Sequence, residues 1–278
     1  GCNFRKFIGC ITNSEYVGNQ KISNLLRYNP GFWVALYLDY KRRHKSLGSV
    51  DHFFSLSTFI NRLLIDSGVK KGDIRKVANI PDIEGLDSSK DLRLELEMND
   101  EKPTIVYIGA LSKIKGVDLL IDAFKRVESE AELFIVGDGP KRSELEELAG
   151  RGDKDINFLG HLGHEYIPTV YKRSDFIVLP SVWPEPLSRV LLESAFFGKP
   201  VLATDIGGSP EIIDHGYNGL LFKPNVEDLK EKLEYLIDRE DKRREYSENM
   251  EKFFRSELDK KVIIDEIIRF YKEKISSD

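Results

Sequence analysis

The 278-residue chain is 41% hydrophobic, enough for the core of one large domain or two small ones, and contains no run of about 18 apolar residues that could span a membrane. Its net charge of −5 hides a break: residues 1–80 hold 13 Lys+Arg and 5 Asp+Glu (+8), while the rest hold 42 − 13 = 29 basic and 47 − 5 = 42 acidic residues (−13). The acidic bulk and the absence of a nucleic-acid motif argue against DNA or RNA as a partner.

The chain begins at Gly1-Cys2, without Met or a visible signal peptide, so an upstream part is expected. Cys2 and Cys10 could bridge or form half a metal site. With no disulfide framework and no paired metal motif, they read as ordinary thiols of a reducing cytosol. A cytoplasmic location is the matching expectation. An aromatic-rich helical stretch from Phe32 to Tyr40 ends in Lys41-Arg42-Arg43-His44-Lys45. Cations suit a helix C-terminus. The competing reading is that Lys41, Arg42, Arg43 and Lys45 touch an anionic lipid surface, making the protein peripheral at the inner face of the membrane, or an anionic acceptor. The charge break coincides with a candidate domain boundary near Pro81-Asp82.

From about residue 103 the pattern alternates strand and helix. Strands are expected at Thr104 to Ile108, Glu132 to Val136, Ile156 to Leu159, Asp175 to Leu179, Pro200 to Ala203 and Leu220 to Phe222. Helical spacing falls at Val117 to Val127, Lys141 to Ala149, Glu165 to Arg173, through Pro186 to about Phe197, and in a short piece around Pro210 to Asp214. Such alternation implies α/β architecture, a parallel sheet with helices on both faces. Ligands of such sheets bind beyond the C-terminal strand ends. The tail from Val226 is helical and charged. Val262, Ile263, Ile267 and Phe270 mark one buried face on its last helix.

Glu185 and Glu193 stand eight residues apart in Pro184-Glu185-Pro186-Leu187-Ser188-Arg189-Val190-Leu191-Leu192-Glu193. Pro186 suits a first helical turn, which would put Glu185 at the helix mouth beside unpaired N–H groups that favour phosphate. Eight residues at the helical rise is roughly 12 Å, about the span from a hexose across a diphosphate to a ribose. Glu193 sits among Val190-Leu191-Leu192 and Ser194-Ala195-Phe196, where burial makes an unpaired carboxylate costly and calls for a polar partner.

The segment "PSVWPEPLSRVLLESAFFGKPVLATDIGGSPEIIDHGYNGLLFKP" resembles the donor-binding domain of retaining glycosyltransferases of family 4, which have the GT-B fold. "YIGALSKIKGVDLLIDAF", "LFIVGDGPKRSELEELA" and "INFLGHLGHEYIPTVYKRSDFIVLPS" agree in order, so the resemblance covers roughly residues 103–224. "VDHFFSLSTFINRLLIDSGVKKGDIRKVANIPD" resembles the end of the family's N-terminal domain and the crossover from it. The resemblance implies a Rossmann-like donor domain at 83–254. Residues 1–82 would be the incomplete, closing part of an α/β acceptor-side domain, and 255–278 a terminal helix returning to it.

By the same resemblance, Glu185 contacts donor-sugar hydroxyls at the reacting carbon and Lys115 neutralises the leaving diphosphate. Leu187, Ser188 and Arg189 offer backbone N–H groups to phosphate, the Arg189 side chain either pairs with phosphate or merely covers the helix, and Glu193 takes ribose hydroxyls. Gly109 and Gly137 allow close approach, and Gly160-His161-Leu162 falls beside the base. The family commonly has an aromatic and Gly where this chain has Leu187 and Ser188, and an Arg where it has Ala110. Lys113 is a candidate to compensate, or a solvent-facing lysine.

The implied activity is retaining, metal-independent transfer of a hexose-type sugar from a nucleoside-diphosphate sugar to a hydroxyl acceptor, without a bound cofactor. The acceptor would be lipid-linked or a glycan, as in polysaccharide or glycolipid biosynthesis. The main alternative is a nucleotide-sugar-binding protein or subunit lacking independent catalysis, which Ala110 favours. An epimerase or phosphorylase of the same fold is more distant. A dinucleotide oxidoreductase is disfavoured, since no complete G-x-G-x-x-G opens a helix.

Overall fold

The computed structural model describes residues 30–79, 101–150 and 154–276. Cys2, Cys10 and the boundary expected at Pro81-Asp82 lie outside these residues. Contacts divide the chain into two units, Gly1–Ser55 with Ile60–Lys76, and Leu56–Phe59 with Val77–Asp278.

In the smaller unit, helix α1 (Pro30–Ser46) extends past Tyr40 and carries the basic cluster in its last turns. Lys41, Arg42 and Lys45 are exposed, as are Val34 and Leu38. Strands β1 (Phe53–Ser55) and β2 (Ile74–Lys76) pair in parallel, Phe53 opposite Ile74. Parallel neighbours need a crossover, and the connection contains helix α2 (Thr58–Asp66).

The larger unit is built on strands β3 (Thr104–Ile108), β4 (Glu132–Val136), β5 (Ile156–Gly160), β6 (Phe176–Leu179), β7 (Val201–Thr204) and β8 (Gly219–Phe222). They form one sheet in the order β5-β4-β3-β6-β7-β8, with every pair parallel. Strand positions alternate between two cores. Ile105, Tyr107, Phe176 and Val178 face one side, with Leu120, Phe124, Leu145 and Leu233. Val106, Ile177, Leu179 and Ala203 face the other, with Tyr171, Leu191, Leu192 and Met250. A strand buried on both faces loses the polar alternation of a surface strand, which is why β3, β4 and β6 read as continuous apolar runs.

The helices that cover the sheet are α3 (Val117–Lys125), α4 (Arg142–Ala149), α5 (Ile167–Arg173), α6 (Arg189–Phe196), α7 (Val226–Asp238) and α8 (Glu240–Phe253). A π-helical segment, Phe254–Leu258, leads to α9 (Lys260–Ile275). Several expectations shift. The helix expected from Glu165 begins at Ile167, after a 3₁₀ turn His164–Tyr166, with Pro168 in its first turn. The short helix expected near Pro210 is a 3₁₀ turn, Ser209–Glu211. On α9, Ile263 and Phe270 are buried but Val262 is 39% exposed. Adjacent positions lie about 100° apart around a helix, so Val262 and Ile263 cannot share one narrow face.

Candidate functional site

The strand order reverses direction between β3 and β6. Connections on the two sides of that point wind to opposite faces of the sheet, so the loops beyond these strands diverge and open a crevice. The loop after β3 begins at Gly109 and ends at Gly116. Gly116 has φ 65°, and a Cβ there would stand 2.1 Å from the Pro180 carbonyl oxygen. The β3 loop therefore meets the segment after β6 backbone to backbone, and Val182 N–H donates to the Ile114 carbonyl at 3.0 Å.

This seam brings together two of the sequence-predicted residues, 70 positions apart. Lys115 Nζ donates to Glu185 Oε1 at 2.7 Å, and Ser181 Oγ donates to the same oxygen at 2.7 Å. The Lys115 and Glu185 side chains are 27% and 25% exposed. Lys115 has two further N–H groups to offer an anion, and the second carboxylate oxygen of Glu185 can accept from hydroxyls.

Pro186 does not lie in a first helical turn, and Glu185 is not at the helix mouth that its spacing suggests. Helix α6 starts at Arg189, with Ser188 as an extended N-cap. The Glu185 carbonyl accepts from Gly208 N–H at 2.8 Å, which ties residues 185–187 to the 207–208 turn instead of to a helix. The helical-rise estimate of the Glu185–Glu193 span thus holds only from Arg189 onward. The first-turn N–H groups of α6 belong to Arg189, Val190 and Leu191. The Leu187 side chain is buried in the core with Leu191 and Ile212.

Glu193 has the polar partner its burial demanded. Tyr171 Oη donates to Glu193 Oε2 at 2.9 Å, and Arg189 Nη2 stands 3.5 Å from Oε1. Tyr171 is fully buried and stacks on Phe197 at 4.9 Å between ring centroids. Burial first, and the Glu193 charge second, push its phenol well above the usual tyrosine range.

A cavity of about 750 Å³ opens at this end of the sheet, lined by Gly109, Gly137, His161, Leu162, Arg189 and Glu193 among others. Gly137 has φ 135°, and a Cβ there would lie 1.8 Å from the Gly109 carbonyl oxygen, so any side chain would break the wall the two glycines share. Ser188, next to Arg189, lines a second, small depression with Glu185, Ser181 and Trp183. The predicted residues thus divide between the large cavity and the surroundings of the Lys115–Glu185 pair, except Leu187, whose side chain is in the core. His161 is exposed at the cavity rim. Asp138, also at the rim, accepts from Gly139 N–H at 2.7 Å and Arg142 Nη1 at 3.1 Å. These bonds hold its carboxyl below the usual range, Gly139 contributing most.

Tyr171, Ser181, His164 and Glu165 also belong to the site and were not singled out from sequence as functional residues. Tyr171 and Ser181 fall inside the stretch "YKRSDFIVLPS", but only the tertiary fold sets them against Glu193 and Glu185. Among the described residues no group of three or more His, Cys, Asp or Glu could hold a metal ion, and no helix is long and apolar enough to cross a membrane.

The family model described as glycosyl transferases group 1 matches residues 88–253. Alpha-D-kanosaminyltransferase of Streptomyces kanamyceticus is 33% identical over 156 residues, 54% of this chain and 40% of that protein. GDP-mannose-dependent alpha-mannosyltransferase of Corynebacterium glutamicum is 33% identical over 151 residues, 53% of this chain and 34% of that protein. HepE of Anabaena, solved in complex with UDP, superposes with TM-score 0.72 at 23% identity, covering 80% of this chain and 64% of that one. Sucrose-phosphate synthase of Thermosynechococcus elongatus gives TM-score 0.71 at 20% identity, covering 86% and 63%. At such identity the structural likenesses speak to fold, which is α/β of the GT-B type. The chain spans less than two thirds of the length of these relatives. The family match takes in more than half of the chain, including both glutamates and the whole Lys115 loop, and the chain belongs to the glycosyl transferases group 1.

Proposed function

We propose that this chain binds a nucleoside-diphosphate sugar and serves a retaining, metal-independent transfer of its hexose to a hydroxyl acceptor. The observation that carries this reading is the Lys115–Glu185 pair at 2.7 Å, close in sequence to a cavity whose wall includes Glu193. In this reading Glu193 accepts from ribose hydroxyls, with His161 and Leu162 toward the base. Glu185 accepts from the donor sugar's hydroxyls and stabilises positive charge developing at the anomeric carbon. Lys115 stabilises the negative charge that collects on the departing phosphate. The acceptor oxygen attacks from the face the phosphate leaves. The carbon–phosphate-oxygen bond breaks as the new carbon–oxygen bond forms, and the acceptor proton passes to the phosphate oxygen. Configuration is thereby kept, with no covalent enzyme intermediate.

A lipid-linked or glycan acceptor, a place in polysaccharide or glycolipid synthesis and a cytoplasmic site of action belong to the same proposal. The exposed Lys41, Arg42 and Lys45 on α1, with Arg43 on the same helix, support contact with an anionic membrane surface.

The test is incubation with UDP-, GDP- and ADP-hexoses and simple glycan or lipid acceptors, with and without a chelator. The product's anomeric configuration is read by NMR. Retained configuration, indifferent to chelator, is expected; an inverted product or a metal requirement overturns the mechanism. A second reading is favoured by Ala110, which lines the cavity where the resemblance leads one to expect Arg: a nucleotide-sugar-binding subunit that acts only with a partner. Transfer by the chain alone decides against it.

A further inference from the structure

The lining of the large cavity is electrostatically lopsided. Among the described residues that line it, Asp138, Glu165 and Glu193 bring three carboxylates, and Arg189 is the one Lys or Arg. Lys115 is engaged by Glu185 and lines neither the cavity nor the depression beside it. Arg142 is engaged by Asp138 and Glu146. An anionic ligand in this cavity therefore has Arg189 as its source of lasting positive charge. That guanidinium is loosely held. Its side chain is 62% exposed, and its approach to Glu193 Oε1, at 3.5 Å, is beyond good hydrogen-bond reach. Glu193 is anchored instead through its other oxygen by Tyr171.

We propose that the Arg189 guanidinium is the group that grips the diphosphate of the bound nucleotide. This rests on the donor-site reading above and assigns the charge within it. Arg189 and Glu193 lie one turn apart on α6 and project to the same face. A ribose bonded to Glu193 brings its phosphates toward the adjacent turn, where the planar guanidinium fork matches two phosphate oxygens at once. Lys115 is then left to act beside Glu185 on the phosphate that bears the sugar. Two cations, one at each end, divide work that Ala110 cannot share.

Calorimetric titration of UDP, GDP, ADP and the matching nucleosides into wild type, Arg189→Gln and Arg189→Lys tests the assignment. Arg189→Gln is expected to weaken the preferred diphosphate about 10- to 100-fold while moving its nucleoside less than about twofold, because only a charge-assisted bond to phosphate is lost. Arg189→Lys should restore part of the loss, since charge survives but the fork does not. Equal losses for diphosphate and nucleoside, or no loss, overturn the role of Arg189 and leave the donor site standing. If wild type binds no diphosphate, the donor-site reading falls and this assignment with it.

Discussion

Glu193 is held in place by a residue that touches no ligand in this account. The Tyr171 hydroxyl fixes one carboxylate oxygen at 2.9 Å, and stacking on Phe197 fixes the Tyr171 ring. Loss of a hydrogen bond to a charged group costs about 1.5–3 kcal/mol, so Tyr171→Phe should weaken nucleotide binding roughly 10- to 100-fold. The phenyl ring keeps its packing, so the thermal midpoint should fall by only a few degrees. Titration beside a thermal melt separates the two. Unchanged affinity would show that Glu193 needs no positioning; a collapse of the melt would show that Tyr171 acts through the core. The Lys115–Glu185 pair has the same logic. Each partner keeps the other from being a lone charge at a site one quarter exposed.

At the scale of elements, the seam between the loops after β3 and β6 does most to assemble the site. Gly116→Ala would place a methyl 2.1 Å from the Pro180 oxygen at φ 65°. A non-glycine residue held there costs about 1–3 kcal/mol in backbone strain alone. Urea unfolding should show at least that loss, and one below about 0.5 kcal/mol would mean the seam yields freely. The bounds of β3 and β4 follow from sequence because apolar runs buried on both faces end at polar or glycine positions. The start of α6 does not. Pro186 carries a first-turn signal, but the Glu185 carbonyl is taken by Gly208, 23 residues on. Local propensity loses there to a long-range bond. Motif resemblance singles out Glu185, Glu193 and Lys115 as candidates, and the structure sets Lys115 against Glu185. The bonds from Ser181 and Tyr171 were not, since spacing along the chain does not say which side chains the sheet will bring face to face.

For the whole molecule, buried phenols, Tyr107 and Tyr171 among them, link the fold to alkaline pH. Burial, with the Glu185 charge second, pushes Tyr107 up, and Tyr171 is pushed up by burial with Glu193 second. A folded pKa above the unfolded value of about 10 gives stability fully present below pH 10 and lost as pH rises further. Of the 11 tyrosines, Tyr107 and Tyr171 should ionise only as the chain unfolds, seen as a late step in ultraviolet absorbance coincident with loss of circular dichroism. Ionisation of every tyrosine near pH 10 with the fold intact would contradict their burial.

As a nucleotide site read by Glu193, the crevice at the β3–β6 switch point is open to one decisive experiment, calorimetric titration of UDP, GDP and ADP into wild type and Glu193→Ala. Wild type is expected to bind one of the three in preference, and Glu193→Ala to weaken that nucleotide by at least about tenfold with the fold intact. Absence of binding to wild type, or equal binding by the variant, would contradict it.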